Sequence, residues 1–192
     1  ASIVVVGSTN LDLVATGDRL PAPGETVTRA TLERHRGGKG ANQALAAARF
    51  GATVAFNAAT GDDGEGDFAV ELLHAAGVDL SRVVRVAGVS TGIALIMVDG
   101  AGENQIMVAS GANGRLTPEH VDASGFDALL VQFEVPPETV AEAIRQATGL
   151  VVVNAAPARP IPEGTLGRTD VVIVNEGEYA EQTGFVADAA RI

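Results

Sequence analysis

The chain has 192 residues, 46% hydrophobic and 19% charged, a balance that fits a folded globular domain rather than a disordered segment. Its 13 Lys and Arg against 24 Asp and Glu give a net charge of −11, which argues against nucleic acid as a partner; aromatics at 4%, with no Trp, also disfavour a base-stacking platform. The lack of cysteine excludes a disulfide framework, a thiolate metal site and a cysteine nucleophile, and fits a reducing, cytoplasmic setting.

The apolar runs are short and end at glycine or polar residues, far below the ~20 residues of a membrane-spanning helix. The opening ASIVVVGSTN has neither the basic region nor the cleavage site of a signal peptide. Residues 3–6 (IVVV) read as a strand buried on both faces, followed by Gly7-Ser8-Thr9-Asn10-Leu11-Asp12. Residues 25–35 are polar with loose alternation. Residues 41–50 form an Ala-rich helix stopped by Gly51. Residues 53–56 make the next buried strand, and 65–76 a helix with Phe68, Leu72 and Ala76 on one stripe. Residues 91–109 carry two β-rich arms around the hairpin-type turn at 99–104 (DGAGEN), with Ala94, Ile96 and Val98 facing inward by period two. Thr117-Pro118-Glu119 has the N-cap, first-turn proline and early acid of a helix start. Strands at 128–133, 150–153 and 171–174 alternate with helices at 136–147, carrying Val140, Ala143, Ile144 and Ala147 on one face, and at 176–183. This alternation predicts an α/β fold with a mostly parallel sheet and right-handed crossovers, beside a small antiparallel β lid.

Ligands in open α/β sheets bind beyond the carboxyl ends of the strands. Four strands deliver amides or carboxylates there: Asn10 and Asp12 after the first, Glu134, Asn154, and Asn175 with Glu178 after the last. Each taken singly also fits a turn cap. Asn10 and Asp12, two apart in extended chain, match the donors and acceptors of a vicinal diol, or an Asx-turn. Gly37-Gly38-Lys39-Gly40 leads into the Ala-rich helix, where glycines admit close backbone approach and the helix start offers free N–H groups. It is not a Walker A loop, since Glu33 and Gly40 stand where that pattern needs Gly and Ser or Thr.

The strings GSTNLD (7–12), PAPGET (21–26), GGKGANQA (37–44), TGDDGEG (60–66), STGIALI (90–96), GAN (111–113), NAAPA (154–158) and VNEGE (174–178) together resemble the N-terminal portion of the ribokinase/PfkB carbohydrate kinase family. GSTNLD favours the ribokinase branch over nucleoside kinases. The resemblance implies a ribokinase-like, Rossmann-type sheet flanked by helices, one incomplete domain over residues 1–192, with lid strands from about 11–36 and 91–109. It implies ATP-dependent phosphorylation of ribose at its terminal hydroxyl, with ATP, Mg2+ and a monovalent cation as cofactors. Asn10, Asp12, Gly38, Lys39, Asn42 and Glu134 would hold the sugar, with Ala94 and Ile96 as apolar lid contacts. Asn175 would serve the phosphate side and Glu178 the magnesium. Pairing of lids implies a homodimer.

The family's Gly-Ala-Gly-Asp string, whose Asp is the general base, does not occur in this sequence. The resemblance puts that base, the adenine pocket and the monovalent-cation site beyond Ile192, so the chain carries mainly the sugar-binding portion and is expected to be inactive alone. Ala155 replaces the proline of the family's Asn-Pro-Ala-Pro-Ala, and the chain reads as short near 122–126, 146–150 and 184–187. A non-catalytic sugar-binding or regulatory module, and a relative acting on another sugar or nucleoside, are the alternatives.

Overall fold

The structure is a computed structural model that describes residues 1–184. Its main sheet has six strands: β1 (Ser2–Val6), β4 (Thr53–Gly61), β5 (Val83–Val86), β8 (Ala128–Gln132), β9 (Leu150–Asn154) and β10 (Val171–Ile173). They run in the order β10-β9-β8-β1-β4-β5, every neighbouring pair parallel. The chain crosses to one side of β1 first and to the other side later, so β1 lies at the topological switch point, where such sheets open a crevice.

The continuous apolar reading of β1 has a direct cause. Val4 and Val6 point into one core layer with Leu129, Val131 and, from helix α3 (Pro137–Gln146), Val140, Ala143 and Ile144. Val5 points the other way, into a layer with Val54, Phe56, Ala41 and Ala44 of helix α1 (Lys39–Arg49), and Leu73 of helix α2 (Gly64–Ala75). Both faces are covered, and burying each such side chain contributes roughly 1.5–3 kcal/mol.

Four further strands form the lid: β2 (Asn10–Thr16), β3 (Thr31–Gly37), β6 (Gly92–Val98) and β7 (Asn104–Ala109), in the order β3-β2-β6-β7. Its outer pairs, β2–β3 and β6–β7, are antiparallel, but its central pair β2–β6 is parallel, so the lid is mixed rather than wholly antiparallel. The reason is that β2 and β6 follow β1 and β5, which run in the same direction and deliver both strands from one edge of the main sheet. The 99–104 turn is held by Asp99, whose Oδ1 accepts from the N–H groups of Ala101 and Glu103.

Other elements depart from the sequence pattern. The stripe expected at Phe68, Leu72 and Ala76 of α2 is rotated: Gly66, Ala69 and Leu73 are buried, and Leu72 is exposed. Phe68 instead lies beneath the guanidinium groups of Arg34 and Arg36 from β3. The helix start at Thr117 makes its cap, but only one 3-10 turn follows, Pro118–His120, because Val121 and Ala123 are drawn into the core. The strand at 171–174 is not buried on both faces; β10 is an edge strand and its residues are exposed. Of the three stretches read as short, 122–126 and 146–150 lie at the connections into β8 and β9, while 185–187 lies outside the described residues. Among the described residues no helix is long and apolar enough to cross a membrane.

Candidate functional site

Gly7-Ser8-Thr9 turns the chain from β1 into β2 and presses against the start of α1. The Ala41 N–H donates to the Ser8 carbonyl at 2.8 Å, and a Cβ on Gly40 would stand 2.6 Å from the Ser8 nitrogen. Gly38 has φ 90° and packs its α-carbon against Thr9 and Asn10, so it meets both a positive-φ and a close-approach requirement. The Gly-rich loop, the β1–β2 turn and the end of β8 thereby share one spot at the crevice.

Glu134, just after β8, is held from several sides. Its Oε2 accepts from the Ser8 hydroxyl at 2.6 Å and from the Lys39 N–H, at the α1 N-terminus, at 2.9 Å; the Lys39 ammonium stands 3.7 Å from Oε1. Arg159 brackets this residue: its Nη2 donates to the carbonyls of Phe133 and, at 2.7 Å, of Val135, and its guanidinium lies over the Phe133 ring. Burial pulls the Arg159 pKa down, against the opposing pull of Glu138.

Asp12 faces the same place. Burial first, then the charge of Glu134, pushes its carboxyl above the ordinary aspartate range, with His35 pulling the other way. Its Oδ1 is buried without a hydrogen-bond partner among the described residues. A Cβ on Gly37 would sit 2.0 Å from Asp12 Oδ2, so only glycine leaves room for that carboxylate. Asp12 lies opposite Ala94 in the β2–β6 register and Val14 opposite Ile96, which puts Asn10, Asp12, Ala94 and Ile96 on one face of the lid. Ala94 is buried and Ile96 half-buried, while Leu95 and Met97, between and beyond them, are exposed.

The structure thus brings together Asn10, Asp12, Gly38, Lys39, Ala94, Ile96 and Glu134. Asn42 lies on the first turn of α1, exposed, with its N–H donating to the Gly38 carbonyl. Asn175 and Glu178 stand apart, two strands beyond β8. They form the capping box of helix α4 (Glu176–Thr183): the Glu178 N–H donates to Asn175 Oδ1 and the Asn175 N–H to Glu178 Oε2, each at 2.8 Å. Asn154 donates to the Ile173 carbonyl at 3.3 Å, tying β9 to β10.

Two residues were not assigned by sequence. Asn113 is fully buried: its Oδ1 accepts from the Thr9 N–H at 3.0 Å and its Nδ2 donates to Asn10 Oδ1 at 2.7 Å. The GAN string was visible, but its partners lie a hundred residues away in sequence, beyond any local pattern. Arg159 follows the NAAPA string and carried no signal of its own. A partly buried arrangement secures the base of the lid. Asp63, the N-cap of α2, accepts from the Gly66 N–H (2.8 Å), the Thr91 N–H (2.8 Å) and the Thr91 hydroxyl (2.6 Å), and the Thr91 hydroxyl accepts from the Gly61 N–H at 2.9 Å.

Among the described residues no group of three or more His, Asp and Glu side chains is placed to hold a metal ion. The site is a pair of carboxylates with amide and backbone donors, suited to hydroxyl groups.

A model of the pfkB family carbohydrate kinases matches residues 1–189. The ribokinase of Staphylococcus aureus (strain COL) is 40% identical over 192 residues, covering 95% of this chain and 63% of its own length. The bifunctional ribokinase/ribose-5-phosphate isomerase A of Fructilactobacillus sanfranciscensis is 41% identical over 192 residues, with 95% of this chain and 36% of its own length covered. The structure of Arabidopsis thaliana ribokinase complexed with ribose and ATP superposes with a TM-score of 0.87 at 30% identity, covering 98% of this chain and 64% of that one. The chain spans less than two thirds of each of these relatives. With the family model matched over residues 1–189 and these relatives aligned along nearly the whole chain, it belongs to the pfkB family of carbohydrate kinases.

Proposed function

We propose that the polypeptide carrying this chain is a ribokinase that transfers the terminal phosphoryl group of ATP to the terminal hydroxyl of ribose, and that these residues supply mainly its sugar-binding portion. The observation that carries the reading is the pairing of Asp12 and Glu134 at the crevice, where burial and then the Glu134 charge raise the cost of ionising Asp12. Such a site repels an anionic acceptor and welcomes a neutral polyol, whose hydroxyls donate to carboxylates. Ribokinases among the relatives support ribose in particular.

In this reading Asn10 and Asp12 together hold the sugar's hydroxyls, and Glu134, steadied by Ser8 and the Lys39 N–H, accepts from another. Gly38 and Lys39 bring backbone and charge to the sugar's edge, Asn42 reaches it from α1, and Ala94 and Ile96 cover its apolar side. Holding the acceptor in line accounts for much of phosphoryl-transfer catalysis, which is chiefly positioning and electrostatic stabilisation. ATP brings the transferable phosphoryl group, and Mg2+ offsets its charge. Of the residues here, Asn175 would face the phosphates and Glu178 the ion, a single carboxylate being compatible with an ion held largely by water and phosphate. The general base and the monovalent-cation site belong to the remainder of the family's length.

The protein works as a cytoplasmic homodimer joined through the lid. Its β7 edge supports this: all of its residues are exposed, with Ile106 at 57% and Met107 at 71%, and an uncovered apolar edge invites pairing with a second copy. The test of function is ADP release by the complete polypeptide with magnesium-ATP and ribose. Ribose-dependent turnover that yields ribose 5-phosphate is expected; absence of turnover with ribose, alongside turnover with another sugar or nucleoside, overturns the substrate assignment.

A further inference from the structure

The hydrogen bonds around Asn113 fix which end of the Asn10 carboxamide faces the site. The Thr9 N–H can only donate, so the Asn113 atom 3.0 Å from it is oxygen. The Asn113 nitrogen then faces two partners, the Thr9 carbonyl at 3.1 Å and the Asn10 side chain at 2.7 Å. The Thr9 carbonyl can only accept, so the backbone fixes the Asn113 amide at both ends. A nitrogen donor requires an oxygen opposite it, and Asn10 must therefore turn its Oδ1 inward. Asn10 is left with its Nδ2 for the crevice, where that nitrogen donates to no described residue.

Two residues on, on the same face, Asp12 presents a buried carboxylate oxygen without a partner. The crevice therefore offers a pure donor beside a pure acceptor. A hydroxyl satisfies both, accepting from Asn10 and donating to Asp12; an ammonium cannot accept from Asn10. Space for the lock is reserved by Gly92, which pairs with Asn10 across β2–β6. A Cβ there would stand 2.3 Å from both Asn10 Oδ1 and Asn113 Nδ2. Gly92 is not among the positive-φ glycines, so the requirement is for room and not for an unusual backbone.

We propose that Asn113 is a specificity-determining positioning residue: it locks the Asn10 carboxamide in donor orientation, so that the site selects a hydroxyl over an ammonium at that position of the ligand. The inference rests on the sugar-kinase reading for its ligand and on the buried amide pair for its geometry.

Calorimetry on the complete polypeptide would compare ribose with 2-amino-2-deoxyribose and 3-amino-3-deoxyribose, in wild type, Asn113→Ala and Gly92→Ala. At a pH that keeps the amino sugars protonated, wild type is expected to prefer ribose to at least one of them. Both variants free the Asn10 amide to turn, so that preference should fall by about tenfold, the scale of one hydrogen bond to a charged or buried group. A merely structural role would weaken both ligands alike; an unchanged ratio overturns the proposal. Gly92→Ala keeps both amides if Asn113→Ala fails to fold. A ligand-free measurement separates this from the functional reading: by NMR, the Thr9 N–H and Asn113 carboxamide protons should exchange slowly in wild type and at least about tenfold faster in Gly92→Ala, as expected when a buried bond is opened. Unchanged exchange overturns the lock. Failure of wild type to bind any of these sugars refutes the sugar-kinase reading, and the exchange result then decides the lock alone.

Discussion

Replacing Asp63 by alanine removes the side-chain hydrogen bonds by which it ties the start of α2 to the entry of β6. The Gly66 N–H loses its cap acceptor, worth about 1 kcal/mol. The Thr91 N–H loses its partner in a residue that is 1% exposed, a desolvation cost of about 1–3 kcal/mol. The Thr91 hydroxyl keeps its bond from the Gly61 N–H but loses its own acceptor. Together these place the loss near 3 kcal/mol, or about 6–12 °C in Tm for a chain of this length. Asp63→Asn is more discriminating: an amide oxygen can still serve Gly66 and the Thr91 hydroxyl, but an NH2 then opposes the Thr91 N–H, so about half the loss is expected. Charge adds a pH signature. Burial raises the Asp63 pKa, but the bonds from the Thr91 side chain, the Thr91 backbone and Gly66 together outweigh it and leave the pKa below the ordinary value. A depressed carboxylate contributes stability above its unfolded pKa, and that contribution disappears as pH falls through the folded one. Urea denaturation of wild type and both variants from neutral to acid pH would measure this. Losses below about 0.5 kcal/mol for Asp63→Ala, the range of an ordinary surface change, would refute the reasoning, as would equal losses for the two variants.

Asp12→Ala should weaken sugar binding by roughly 1–3 kcal/mol with nucleotide binding little changed, whereas Glu178→Ala should raise the magnesium requirement and lower turnover while sugar affinity is kept; equal loss of sugar affinity in both would contradict the division. Because the Asp12 pKa is raised, the carboxylate protonates at a higher pH than a free aspartate, and sugar affinity should decline on acidification before ordinary aspartates titrate; calorimetry across pH should show this in wild type and not in Asp12→Asn. A polypeptide ending at Ile192 should show no ribose-dependent ADP release, since general-base assistance alone is worth about 10²–10⁴ in rate; turnover near that of a complete relative would reject this. Sedimentation of the complete polypeptide at micromolar concentration should give a dimer that Met107→Asp dissociates, and a strictly monomeric wild type would rule the lid interface out.

Much of the frame was legible because buried parallel strands and capped helices leave local marks. The strings IVVV and LVVV, and the apolar face of α3, read correctly from period and punctuation alone. What failed depended on distant partners. Strand β5 has only four residues at the sheet edge and no alternation to announce it. The buried stripe of α2 turned because β3 supplies two arginines that cover Phe68, which no pattern within α2 encodes. The gathering of Asn10, Asp12 and Glu134 followed from asking what ends each strand, and Lys39 from the Gly-rich run before the Ala-rich helix; the same question also returned Asn154, Asn175 and Glu178, which stand apart. The residues that orient them, Asn113 and Arg159, act through backbone atoms of other segments and leave no trace in spacing.

The parallel pairing at the centre of the lid has a consequence for the order in which the molecule assembles. A hairpin can close locally, and β6–β7 does so around the 99–104 turn. The β2–β6 pair cannot, because Asn10 meets Gly92 only after α1, β4, α2 and β5 have been laid down between them. Closing so long a loop is entropically unfavourable until the intervening sheet has made its own contacts. The half of the crevice contributed by the lid should therefore assemble only once the segment between β2 and β6 has folded. Changes in the β2–β6 seam should leave the folding rate nearly untouched and speed unfolding instead, so that the crevice is the first part of the molecule to be lost and the last to be regained.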